Sequence, residues 1–131
     1  MRREAIVGAL RALTTAAVIT ASLASNALAA GDPAHGKAVF GICSGCHALS
    51  GPSFAAPPLG GVYGRKAGTA AGFQYSKAMV AYGKVWDEES LDPFLASPAT
   101  AVPGTSMPVG LDAAQDRADV IAYLKSVPAA R

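Results

Sequence analysis

The sequence has only two cysteines and two histidines in 131 residues, one tryptophan and 7% aromatic residues. So few thiols exclude a disulfide-framed fold. A structural zinc site wants about four ligands. Apart from Cys43, Cys46 and His47, the chain offers only His35 as a further soft donor. Strand-like alternation and internal repeats are both missing, which argues against sandwiches, barrels and solenoids. Nor is there a long apolar run: the stretch Ala12 to Leu23 has 12 residues, too few to cross a bilayer comfortably.

That short run has a different meaning in context. Arg2, Arg3 and Arg11 give it a basic start, and Ser25-Asn26-Ala27-Leu28-Ala29 follows as a small-residue exit. Basic region, short apolar core and small-residue site are the layout of a secretory signal. The sequence therefore predicts a signal over residues 1–29, removed on export to the periplasm, and one domain over residues 30–131. The precursor has 11 basic and 9 acidic residues, and losing Arg2, Arg3, Arg11 and Glu4 leaves 8 of each. That balance offers no basic stripe for nucleic acid and no polybasic membrane patch. A domain of this size is at the low end of what one core stabilises, so a large apolar ligand inside it would help.

Two helices are predicted most clearly. Asp32-Pro33 is a capping residue followed by proline at the first helical position, and Gly36, Val39, Phe40 and Cys43 then share one face. At the other end Asp112 caps a helix to about Val127, with Val120, Tyr123, Leu124 and Val127 inward and Asp116, Arg117, Asp119 and Lys125 outward. Between them residues 48–75 are irregular and rich in glycine and proline, a length that points to wrapping something functional. Ser76 to Tyr82 reads as a short helix stopped by Gly83. Asp87-Glu88-Glu89 starts another, which either kinks at Pro93 or restarts there with Asp92 as cap, and Ser97-Pro98 ends it.

Both cysteines fall in Cys43-Ser44-Gly45-Cys46-His47, a C-x-x-C-H motif that marks covalent haem attachment. Two thiols three residues apart can each add to one haem vinyl group, and the next residue's imidazole then faces the iron. A redox pair would open a helix after a strand, whereas this motif closes a helix. For a second iron ligand the exported domain has two methionines. Met107 sits in Val102-Pro103-Gly104-Thr105-Ser106-Met107-Pro108, a loop stiffened by prolines, and a thioether there binds ferrous iron well. Met79, inside the short helix, reads as core filling. His35 reads as a solvated residue and not as a ligand.

Taken together, Gly36, Phe40, the Cys43–His47 motif, Gly64-Arg65-Lys66, Gly72-Phe73, Tyr75, Trp86, Pro103-Gly104-Thr105, Met107 and Arg117 to Lys125 resemble a class I cytochrome c. The match is to the mitochondrial and soluble bacterial electron-carrier type, over residues 31–127. The resemblance implies an all-α fold in which the first and last helices cross and short helices and loops wrap one haem c. It implies His47 and Met107 as axial iron ligands, with the carbonyl of Pro57 or Pro58 accepting the Nδ1 proton of His47. Arg65, Tyr75, Trp86 and Thr105 would be donors to the haem propionates, and Gly36 would let Phe40 pack near Val120 and Tyr123.

The chain departs from that family at Phe94 and Met79, which stand where Tyr and Asn are common and would make the methionine side of the haem dry. Ala99, Thr100 and Ser106 stand where lysines are common near the methionine loop. Ile42, Ala113 and Ala114 likewise make the docking edge neutral and apolar. The implied function is one-electron transfer, not enzymatic turnover. The partners are transient membrane or periplasmic redox proteins, with no nucleic acid, no stable membrane insertion and a monomeric state. Alternatives from other classes are a haem-based gas sensor or weak peroxidase, and a dedicated subunit of a larger oxidoreductase.

Overall fold

The computed structural model describes residues 29–52 and 55–130. Apart from Ala29, the expected export signal lies outside the described residues. Regular structure among the described residues is helical, with one isolated antiparallel bridge between Lys66 and Val85.

Helix α1 spans Pro33–Val39, and the Asp32 carboxylate accepts the Ala34 N–H at 2.8 Å. A 3-10 turn, Phe40–Ile42, tightens its end and leads into the cysteine motif. Helix α2 is Lys77–Tyr82, capped by Ser76 and stopped by Gly83 at a φ of 53°, a left-handed conformation that glycine adopts without strain. Helix α3 is Glu88–Ala96, opened by a reciprocal cap in which Asp87 and Ser90 bond each other's backbone N–H groups. It runs through Pro93 without the restart at Asp92 that the sequence allowed. The carbonyl deprived of its donor belongs to Glu89, which is exposed and can bond water. Ser97-Pro98 ends α3 as expected, yet the same pair starts the short helix α4, Pro98–Ala101.

Helix α5 is Ala114–Ser126. Asp112 does not cap it; Ala113 holds that position with no side-chain bond. The entry is fixed instead by Arg117, whose Nη1 donates to the carbonyls of Leu111 and Asp112, both at 2.9 Å, while Nε pairs with Asp92 at 2.7 Å.

Helices α1 and α5 pack directly on each other, with the Phe40 and Tyr123 ring centroids 5.5 Å apart. Gly36 makes the approach possible, because a Cβ there would collide with the carbonyl of Asp119. Alanine should raise the helix propensity of α1 by about 1 kcal/mol. The clash is with backbone, which cannot swing aside, so Gly36→Ala is expected to cost a net of about 3 kcal/mol. Denaturant midpoints of the holoprotein check this, and an unchanged midpoint would contradict the close crossing.

Asp119 corrects the sequence reading. It does not face solvent: its side chain is 5% exposed and lies between the two helices. Its carboxylate accepts the Asp32 N–H at 2.8 Å, the Gln115 amide at 2.9 Å and Nδ1 of His35 at 2.8 Å. His35 is therefore exposed but also engaged. The Asp32 N–H, then the Gln115 amide, hold the Asp119 carboxyl below the usual carboxylate range against the opposing effect of burial. A carboxyl whose pKa is lowered by folding contributes stability above its unfolded value, about 3.9, and loses it as pH falls through the folded value. The stability gap between wild type and Asp119→Asn should accordingly be wide at neutral pH and close in acid. Thermal midpoints followed from pH 7 downward check it; a gap independent of pH would contradict it.

Candidate functional site

Between α3, α5 and the long loops lies a cavity of about 220 Å³. Leu59, Val62, Leu91, Phe94, Leu95 and Leu124 form much of its wall, and most of these are buried. The cavity is partly open to solvent, and so much apolar wall left against water disfavours the fold, whereas an apolar occupant would cover it.

The cysteine motif opens onto the cavity because the first helix ends there. Cys46 N–H and His47 N–H both donate to the Cys43 carbonyl, at 3.1 and 2.9 Å, in a turn that brings Cys43, Cys46 and His47 to one lining. Burial pushes the Cys43 thiol up, the reverse of what a nucleophilic or redox-active cysteine needs. Burial also pushes the His47 imidazole down, opposed by its bond to the Pro57 carbonyl. His47 Nδ1 donates to that carbonyl at 2.7 Å, so the neutral ring keeps its Nε2 lone pair for a metal. The neighbouring Pro58 carbonyl serves another residue, accepting Arg65 Nη2 at 2.8 Å while Nη1 reaches Gly60 O at 3.2 Å.

Met107 also lines the cavity, from the loop after α4. That loop is held by its backbone: Thr105 N–H donates to Val102 O at 2.9 Å, and Leu111 N–H to Leu95 O at 2.7 Å. Met107 N–H donates to Thr105 Oγ1 at 3.3 Å. Met79, read as core filling, is buried and forms part of the same wall.

Arg65, Tyr75, Trp86 and Thr105 all line the cavity, and its other polar side chains include His47, Ser76 and Ser106. Tyr75 Oη accepts the Ala70 N–H at 3.3 Å, and Thr105 Oγ1 accepts as described. Each hydroxyl thus keeps its own proton to donate to an acidic group on the occupant. Trp86 is buried between the rings of Tyr82 and Phe94, at centroid distances of 5.4 and 4.9 Å. Phe73 packs edge-on against Tyr75 at 4.9 Å and is also on the lining.

The donor set fits an iron porphyrin: an apolar slot, two thiols, one imidazole nitrogen, one thioether and a few hydrogen-bond donors. Much of the apolar wall lay outside the sequence reading. Val62, Leu91, Leu95 and Leu111 carry no motif, and only the three-dimensional packing assigns them to the site.

Comparison with known proteins gives a consistent result. The cytochrome c family model matches residues 33–128. The chain is 54% identical over 99 residues to the cytochrome c of Tetrahymena pyriformis, covering 74% of this chain and 90% of that one. It is 50% identical over 105 residues to the cytochrome c2 of Rhodomicrobium vannielii, covering 76% and 82% respectively. Among solved structures, cytochrome cH from Methylobacterium extorquens is similar with a TM-score of 0.70 at 40% identity, over 73% of this chain and 99% of that one.

Proposed function

The chain belongs to the class I cytochrome c family, an electron-transfer protein with one covalently attached haem c, and from that premise we infer that Cys43, Cys46, His47 and Met107 hold the haem in a diffusible periplasmic carrier. The observation that carries this reading is the convergence of those four side chains on one apolar cavity.

When bound, the haem supplies a one-electron couple at its iron. The chain's own residues set the terms. Cys43 and Cys46 would form the two thioethers, while His47 and Met107 would ligate the iron. Pro57 fixes the ring and tautomer of His47 through its carbonyl. Met107, as a thioether ligand, would favour the ferrous state. Leu91, Phe94, Leu95 and Met79 exclude water from the wall, which limits solvent reorganisation when charge changes. Arg65, Tyr75, Trp86 and Thr105 would partner the propionates, whose burial requires polar contacts.

Were His47 and Met107 both to ligate the iron, no position would be left for a substrate. Residues 1–29 would direct export and then be removed, which supports a periplasmic location and transient contact with redox partners as a monomer. The test is stopped-flow mixing of the reduced holoprotein with detergent-solubilised membranes of the source organism. Rapid oxidation, together with an absorption spectrum unmoved by carbon monoxide at neutral pH, is expected. Prompt carbon monoxide binding by the reduced protein would contradict the reading.

A further inference from the structure

The even charge balance of the exported domain hides a segregation. Residues 33–86 contain Lys37, Arg65, Lys66, Lys77 and Lys84 and no acidic residue at all, whereas residues 87–119 hold seven carboxylates. The fold turns this into a face. Lys66 sits opposite Val85 at the isolated bridge, and its side chain passes over Gly83. Gly68 packs against Val80 of α2, one helical turn beyond Lys77. Lys84 lies over the Tyr82 ring at 5.5 Å. Lys66, Lys77 and Lys84 are exposed, and among the described residues none is in an ion pair.

The exposed large apolar side chains divide accordingly. Ile42 and Val109, 61% and 48% exposed, stand on the cavity lining. Val80 and Val85, 58% and 50% exposed, do not; they stand among the three lysines. On α2 the buried Met79 faces the cavity while Lys77 and Val80 face solvent, so this basic and apolar face is the outside of the cavity wall. Of the residues lining the cavity, Arg65 alone carries a full charge, if His47 is neutral.

We propose that Lys66, Lys77, Lys84, Val80 and Val85 form a second docking face, separate from the cavity mouth, for a protein partner that presents carboxylates around an apolar spot. The proposal rests on the carrier reading and adds to it: the protein is held by one face while electrons pass at the other. The charge pattern selects a protein over a membrane. Three exposed lysines fall short of the clusters of about four to eight basic residues that hold a chain on anionic lipid, whereas a protein surface can set carboxylates and an apolar spot against this small face together.

The test uses the holoprotein and the same solubilised membranes as oxidant, with steady-state rates. Lys66→Glu, Lys77→Glu and Lys84→Glu combined should raise KM about tenfold, leaving kcat and the reduction potential unchanged. Val80→Ser with Val85→Ser should raise KM about threefold. All five positions are exposed, so the fold should survive, which the visible spectrum verifies. An unmoved KM in the triple variant overturns the proposal. So does wild-type protein that sediments with phosphatidylglycerol vesicles at roughly 0.15 M salt and loses this in the triple variant, since that makes the face a membrane contact. Wild-type protein that is not oxidised at all would instead overturn the carrier reading.

Discussion

Met107→Ala should abolish the ferric sulfur-to-iron absorption band and lower the reduction potential by a sizeable part of the roughly 0.8 V that axial ligands command. Haem attachment should survive the change, because it depends on Cys43 and Cys46. The loop should survive too. Its fixed points are backbone bonds, Thr105 to Val102 and Leu111 to Leu95, which do not involve the Met107 side chain. The result therefore isolates the ligand from the fold. Met79 is the control, since it is the other thioether on the same cavity. If the band persists in Met107→Ala and disappears only when Met79→Leu is added, the ligand is Met79 and the assignment of Met107 is wrong.

Cys43→Ser combined with Cys46→Ser is expected to give a chain without covalent haem and without cooperative unfolding. The physical reason is the cavity. Its apolar wall is built from α3, α5 and the long loops together, and much of it is left against water if nothing covers it. A domain this small has only about 5–15 kcal/mol of stability to lose. Far-ultraviolet circular dichroism and intact mass, measured on protein from cells with a working maturation system, decide the matter. A folded double variant with a sharp melting transition would show that the core stands without its cofactor.

Local signals in the sequence reached far, and their limits are instructive. The cysteine motif is covalent chemistry compressed into five residues, so it is legible without a fold. The caps Asp32, Ser76 and Asp87 act within three residues and place the helix starts correctly. Helical periodicity assigns the Asp119 charge outward by default, because its partners Asp32 and His35 are 87 and 84 residues away. Helix α4 has no signal of its own, because Ser97-Pro98 is equally a stop for one helix and a start for the next. Asp112 has the right chemistry for a cap, but Arg117 draws the Asp112 and Leu111 carbonyls and fixes the entry differently. The basic face is not legible in the net charge, which is blind to position: only the bridge of Lys66 with Val85 and the outward side of α2 gather the lysines.

The attachment itself can be read most directly from the tryptic fragment of the purified exported protein that spans residues 38–65, between Lys37 and Arg65. Tandem mass spectrometry should find it heavier by one haem, with thioether links at both Cys43 and Cys46. A fragment of unmodified mass, with both thiols free, would contradict the account at its root.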